Sequence, residues 1–142
     1  MQQTTNNILM IRPANFNYND QTASNNYYQK RGLGSPELIN ENAQKEFDLL
    51  VEKLKFNGIN VLVFDDDLKY ETTDAVFPNN WISFHSNGDV VIYPMFAINR
   101  RLERREDVFS FVENKGFNIK NVVDYTSAED ENLFLEGTGS MV

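Results

Sequence analysis

Apolar residues in this chain fall into short runs separated by polar stretches rich in Asn and Gly, and each run has a strand or a helix character. Asn7-Ile8-Leu9-Met10-Ile11-Arg12, closed by Pro13, predicts a buried strand near residues 8–12. Ala43, Phe47, Leu50, Val51 and Leu54 recur at i, i+4, i+7, i+8 and i+11, which predicts an amphipathic helix over 40–56. Asn40 is its expected cap and Gly58 its left-handed stop. Ile59-Asn60-Val61-Leu62-Val63-Phe64 predicts the next strand, 59–64, ended by Asp65-Asp66-Asp67. Ile82-Ser83-Phe84-His85 and Val90-Val91-Ile92-Tyr93 flank Asn87-Gly88, the pair that best accepts the positive φ angles of a two-residue turn. A hairpin with strands at 81–85 and 90–94 follows. Asn99 is the expected cap of a second helix, 99–115, with Leu102, Val108 or Phe109, and Val112 on its apolar stripe and Gly116 as its stop. Ile119-Lys120-Asn121-Val122-Val123-Asp124 completes the set with a strand over 119–124. Strands alternating with helices predict a mixed α/β fold.

The polar stretches carry the candidate chemistry. From Pro13 to Pro36 the chain is rich in Asn, Tyr and Gly, and a connection of that length is functional when it is ordered. Arg12 and Asn25-Asn26-Tyr27-Tyr28 either line a mouth or are a surface arginine and a packed tyrosine pair. Asp65-Asp66-Asp67 has metal-ligand character, but no glycine turn or distal glutamate completes a calcium loop, so it reads as a solvated turn. The run Arg100, Arg101, Glu103, Arg104, Arg105, Glu106 and Asp107 alternates sign at i,i+3 and i,i+4, which predicts an exposed, salt-bridged helix face. Phe77-Pro78-Asn79-Asn80-Trp81 sets two amides between a proline and a tryptophan. Those amides either bond their own backbone in a strand-start turn or are presented as a site from a stiff entry.

Composition narrows the function classes. The 142 residues suit one domain able to bury a core. No cysteine is present and there is one histidine, so a disulfide framework, a thiolate metal site and a cysteine nucleophile within this sequence are excluded, and a zinc site is disfavoured. A net charge of −8 argues against nucleic acid as a partner, since phosphate binding needs clustered Lys and Arg. No run approaches the roughly 20 apolar residues of a membrane helix. The N-terminal Met-Gln-Gln-Thr-Thr-Asn-Asn has no signal-peptide character, and a cytoplasmic location is expected.

An internal repeat organises these pieces. Gly58, a strand, an acidic loop and Phe77-Pro78-Asn79-Asn80 run parallel to Gly116, a strand, the acidic Ala128-Glu129-Asp130-Glu131 and Phe134-Leu135-Glu136-Gly137. The phenylalanine comes 19 residues after the first glycine and 18 after the second. If the units pack about a common centre, Asn79 or Asn80 and Glu136 arrive at equivalent places on one rim, suited to a cation with several N–H donors.

Arg12-Pro13, Asn25-Asn26-Tyr27-Tyr28, Phe77-Pro78-Asn79-Asn80-Trp81 with Ser83 and His85, and Phe134-Leu135-Glu136-Gly137-Thr138-Gly139-Ser140 together resemble the amidinotransferase-related hydrolases of the pentein superfamily. The nearest branch is the one named for citrulline utilisation. Arginine deiminases, dimethylarginine hydrolases and glycine amidinotransferases are more distant relatives. The resemblance spans essentially the whole chain. It implies a propeller of five ββαβ units, here in part: one incomplete domain, with unit one over about 7–75, unit two over about 76–125 and the start of unit three over 126–142. It also implies attack on a guanidinium or ureido carbon by a cysteine, with a histidine as acid and base and carboxylates gripping the substrate nitrogens. No cofactor is implied.

By this resemblance Glu136 is the catalytic-site glutamate that binds guanidino nitrogens, and Phe77, Asn79, Asn80 and Trp81 contribute to substrate binding. Asn80 stands where the deiminases carry a carboxylate, which favours a neutral ureido substrate such as citrulline over a cationic one. His85 does not match the family's catalytic histidine and is expected to pack or hydrogen-bond on the hairpin. The histidine and cysteine of the family come later in the chain, so the sequence reads as the N-terminal portion of a longer enzyme, inactive alone. The strand expected to begin at Leu133 would be an unpaired edge, with Phe134, Leu135, Met141 and Val142 promoting self-association. A non-catalytic module binding a cationic or ureido metabolite is the alternative.

Overall fold

In the computed structural model, which describes residues 4–23 and 26–137, the first continuous apolar run is β1 (Asn7–Arg12), and it pairs in parallel with β2 (Asn60–Asp65). The register runs from Asn7 opposite Asn60 to Arg12 opposite Asp65, and the Asn60 side chain donates to that of Asn7 at 2.8 Å. A parallel pair needs a long crossover, and α1 (Pro36–Phe56) supplies it. Phe47 and Val51 of α1 bury against Val61, with Ile8, Met10, Leu54, Ile59, Val63 and Val76 packed around them. Leu50, assigned to the same stripe by spacing, is instead exposed, because that stripe is narrower than the helical spacing allows. These elements form one of two compact units, which ends at Val76.

The start of α1 corrects the expected boundary. Ser35 is the cap, its hydroxyl accepting from the Leu38 N–H, and Pro36 fills the first helical position, where a missing N–H costs nothing. Asn40 lies one turn inside the helix and does other work. Its side chain accepts from the Phe16 N–H at 2.8 Å and donates to the Ala14 carbonyl at 3.0 Å, pinning the long connection to the helix. Within that connection Asn19 is fully buried; its amide donates to Asp74 and its backbone carbonyl accepts from Thr22 and Gln29. Tyr27 and Tyr28 do not pack into a core: at 91% and 89% exposure they touch each other edge to face. Asn25 lies outside the described residues.

The unit that begins at Phe77 runs β3 (Ile82–Phe84), β4 (Asp89–Ile92), α2 (Ile98–Arg101), α3 (Asp107–Asn114) and β5 (Asn121–Asp124), with sheet order β3-β4-β5. β3 and β4 are antiparallel and β4 and β5 parallel, with both helices lying between β4 and β5 in the chain. Among the described residues the chain therefore forms a mixed α/β fold with two small sheets. The hairpin is present but its turn differs from expectation. Only Gly88 has a positive φ, and the Gly88 N–H returns to His85 while the His85 N–H bonds Asp89, so the loop is three residues long. Asn87 spends its amide on Asp89 instead of entering the left-handed region.

The expected single helix over 99–115 is two helices. Ala97 precedes α2 without a side-chain cap, so Asn99 is not the cap, and the chain between α2 and α3 turns through i→i−3 bonds. The charged run is an exposed, salt-bridged face only at its end, where Glu106 and Asp107 are exposed and Arg105 pairs with Asp107. Arg100 and Glu103 are 5% and 4% exposed, and Arg101 and Arg104 reach Glu129 and backbone carbonyls instead of water. Leu102, on the expected stripe, is correspondingly exposed, while Val108 and Val112 are buried.

Both helix ends use one device. After α1 the Gly58 N–H bonds Lys55 and the Ile59 N–H bonds Leu54; after α3 the Gly116 N–H bonds Glu113 and the Phe117 N–H bonds Val112. Both glycines are left-handed, as this paired closure requires. Residues 133–136 are not a strand; Leu133 bonds back to Ala128 and Leu135 to Pro94. Met141 and Val142, expected at that edge, lie outside the described residues.

Urea unfolding separates the two roles at the start of α1. Ser35→Ala should cost about 1 kcal/mol as a lost cap. Asn40→Ala should cost about 1–3 kcal/mol, because it strands the Phe16 N–H and the Ala14 carbonyl. An Asn40→Ala protein within a few tenths of wild type would show that the connection is not held there.

Candidate functional site

The site grows from a proline. Pro78 opens a short 3-10 turn over Pro78–Asn80, closed by bonds from the Asn80 N–H to Phe77 and from the Trp81 N–H to Pro78. The turn brings the two amides side by side, and the Asn79 side chain donates to the Asn80 side-chain oxygen at 3.0 Å. That contact leaves the Asn80 NH2 to donate to Glu136 Oε2 at 3.3 Å. The other carboxylate oxygen, Oε1, accepts from the Phe96 N–H at 2.9 Å. Arg100 Nη1 faces Oε2 at 3.6 Å. Glu136 thus has a backbone donor, an amide donor and a guanidinium about it, while a quarter of its side chain remains open to solvent. A carboxylate has about four acceptor positions, so capacity remains for further N–H donors.

Gly137 is what allows this approach. A Cβ there would lie 1.8 Å from the Asn79 carbonyl oxygen and 2.8 Å from its carbon, and its φ is +25°. Only glycine fits, so the glycine beside the glutamate fixes the distance between the two polar clusters.

Around the carboxylate, Phe96 and Phe134 meet edge to face at 5.3 Å, and the Arg101 guanidinium lies 5.9 Å from the Phe134 ring. Phe77 is about half exposed. Trp81, expected among the substrate-binding residues, is 1% exposed and supports the turn from within the core instead of lining an open surface. His85 bonds Ser83 at 3.0 Å, and Ser83 in turn bonds Tyr93 at 2.7 Å, on the hairpin. Arg12 is engaged in a two-pronged bond to Asp48 at 2.8 and 2.9 Å, within the first unit. Thr138, Gly139 and Ser140 lie outside the described residues. Among the described residues no group of three or more His, Cys, Asp or Glu is placed to hold a metal ion. No helix among them is long and apolar enough to cross a membrane.

Glu129 is the residue that periodicity missed. It lay in an acidic loop, but it accepts from the Met95 N–H at 2.7 Å and from both Nη atoms of Arg104, and it pairs with Arg101 at 3.2 Å. Burial pushes its carboxyl up, but Arg104, the Met95 N–H and Arg101 outweigh burial and hold it below the ordinary carboxylate value.

With this geometry in place, comparison with known proteins is decisive. A family model for eukaryotic N,N dimethylarginine dimethylhydrolase matches residues 12–142. The chain belongs to this family. Membership places it in the pentein superfamily of guanidino-modifying enzymes, whose dimethylarginine branch comprises hydrolases acting on C–N bonds. Neither the curated proteins nor the solved structures contain a match.

Two outcomes test this geometry. Gly137→Ala should displace Glu136 from Asn80, seen as a shift of the Asn80 side-chain amide resonances, while the methyl resonances of Val108 and Val112 stay in place. Unmoved Asn80 resonances would mean that the close approach does not set the contact. Glu129 gives a pH signature. Its carboxyl is held below its unfolded value, so its stabilisation is complete above that value and is lost as pH falls through the folded one. Melting temperature should therefore fall more steeply below about pH 4.5 in wild type than in Glu129→Gln. Parallel curves would assign acid sensitivity to other carboxylates.

Proposed function

We propose that this chain is the N-terminal, substrate-gripping part of a cysteine-dependent hydrolase acting on a guanidino or ureido group. The observation that carries the reading is Glu136: a carboxylate fixed by Phe96 and Asn80, partly open, with acceptor capacity for the N–H groups of a planar guanidinium or urea. Asn80 extends the same surface with an amide, and Asn79 orients it. Phe77 and the Phe96–Phe134 pair offer aromatic faces near the N–H-binding oxygens, which suit an arginine-like side chain and its alkylated forms. In this reading Trp81 acts from below by holding the turn.

The sequence has no cysteine, so the nucleophile and its histidine come from the remainder of the enzyme, and the chain alone turns nothing over. Amidino transfer to an amine acceptor would use the same grip on the guanidino group. The absence of a nucleophile within the sequence also supports a second reading, a non-catalytic module that holds a guanidino or ureido metabolite. A reading frame that continues to a histidine and a late cysteine selects the enzyme. The location is cytoplasmic in both readings, and self-association would run through the apolar Leu133 and Leu135.

In the protein expressed from its natural reading frame, Glu136→Gln keeps the shape of the side chain and removes the charge. Turnover of citrulline, arginine and dimethylarginine should fall by about two orders of magnitude or more, as expected for loss of a charge-assisted bond at the reacting group. Asn80→Ala should cost less, because it removes a neutral donor. Near-normal turnover of every substrate by Glu136→Gln would remove Glu136 from the site.

A further inference from the structure

We propose that the outer edge of β1 takes an extended segment from the remainder of the enzyme, running antiparallel to β1 and bonded to Leu9 and Ile11. The source of that segment rests on the reading of this chain as the N-terminal part of a longer enzyme; the unpaired edge does not.

The two sheets share a substructure. In the first unit β1 and β2 are parallel and joined by α1, and in the second β4 and β5 are parallel and joined by α2 and α3. The strand before the crossover differs in one respect. β4 has a neighbour on each side, β5 in parallel and β3 antiparallel, whereas among the described residues β1 has β2 alone. The repeat therefore gives both the place of a further strand, the edge of β1 away from β2, and its antiparallel direction.

The hydrogen bonds identify the residues that face this edge. The Asn60 N–H bonds the Asn6 carbonyl at 2.7 Å at one end of the β1–β2 pair, and the Asp66 N–H bonds the Arg12 carbonyl at 2.9 Å at the other. Backbone groups alternate in direction along a strand. Ile8, Met10 and Arg12 therefore turn theirs to β2, and Asn7, Leu9 and Ile11 turn theirs away. The Asn7 N–H is met by the Thr5 hydroxyl at 3.1 Å. The outward N–H and C=O of Leu9 and Ile11 have no hydrogen-bond partner among the described residues. Ile11 is 4% exposed, so water has little access to its pair, and buried backbone groups left unpaired are costly. An antiparallel strand removes that cost, because the residues opposite Leu9 and Ile11 exchange both bonds with each.

The edge also specifies the segment. The residue opposite Met10 falls on the face where Ile8 and Met10 pack against Phe47, Val51 and Val61, so it is apolar. The residues opposite Leu9 and Ile11 each donate an N–H, which excludes proline at both. A short segment suffices, since β3, the equivalent strand of the second unit, is three residues long.

NMR of the protein expressed from its natural reading frame tests the pairing without a variant. In an antiparallel pair Met10 stands at a non-hydrogen-bonded position, where the two Cα atoms lie about 4.5 Å apart. A cross-strand Hα–Hα contact from Met10 to a residue beyond position 142 is the expected result. The N–H groups of Leu9 and Ile11 should also exchange within about tenfold of the Met10 N–H, which lies in the β1–β2 ladder, because neighbouring strands open as one unit. The contact decides, since burial alone also slows exchange. Its absence overturns the proposal, as does a contact to a residue within 1–142 or one seen only between differently labelled copies. A reading frame that stops at Val142 removes the N-terminal reading itself. A frame that continues, with no such contact at Met10, overturns the β1 pairing alone.

Discussion

Two consecutive backbone donors past the end of β4 govern the second unit. The Met95 N–H is taken by Glu129 and the Phe96 N–H by Glu136, two carboxylates seven residues apart. Between them the Leu135 N–H bonds the Pro94 carbonyl. The segment after β5 is therefore fastened to residues 94–96 by two side chains and one backbone bond, in place of a strand ladder. Burying carboxylates is costly unless they are paired and hydrogen-bonded. The arginines that follow Phe96 meet that demand: Arg101 and Arg104 at Glu129, and Arg100 near Glu136.

The elements with a single strong physical cause were legible in the sequence. β1, β2 and β4 are continuous apolar runs, and the Gly58 and Gly116 closures come from residues that tolerate a left-handed φ. What was not legible depended on tertiary partners. Asn40 has a capping side chain, but Ser35 followed by proline was the stronger start, and Asn40 is used to hold Phe16 and Ala14. The charged run has the i,i+3 and i,i+4 pattern of a solvated helix face, and the same pattern forms the buried Arg100–Glu103 pair. Sequence spacing specifies that such residues can meet, not whether water surrounds them. At the candidate site, Glu136 and Asn80 were singled out by motif and repeat, whereas Phe96 meets Glu136 through its backbone N–H, which no side-chain pattern reveals.

The internal repeat has a structural counterpart. Each copy passes from a helix closed by a left-handed glycine to a strand, then to a 3-10 turn that ends in a non-glycine left-handed residue, Glu71 in one and Asn132 in the other. The copies then diverge. The first reaches Phe77 and enters a proline-started turn and a hairpin strand, while the second reaches Phe134 and runs without strand pairing to Glu136 and Gly137. The polar ends of the two copies meet within the second unit, at the Asn80–Glu136 bond and at the Asn79–Gly137 backbone approach. Asn80 and Glu136, which the spacing places at equivalent points of the two copies, are in direct contact.

That contact bears on the amide at position 80. If a carboxylate stood there, it would face Glu136 at hydrogen-bonding distance, and two like charges so close cannot both remain ionised without a cation between them. Arg100 cannot serve both, because its fork is already bound to Glu103. Asn80 avoids this conflict: its NH2 donates to Glu136 and its oxygen accepts from Asn79, so the three side chains form a chain of bonds in one direction. The amide is thus the residue type that orients Glu136 through a hydrogen bond without adding a second carboxylate. Under the proposed function, a guanidino or ureido group would meet a carboxylate whose orientation is already fixed, and binding energy would not be spent on arranging it.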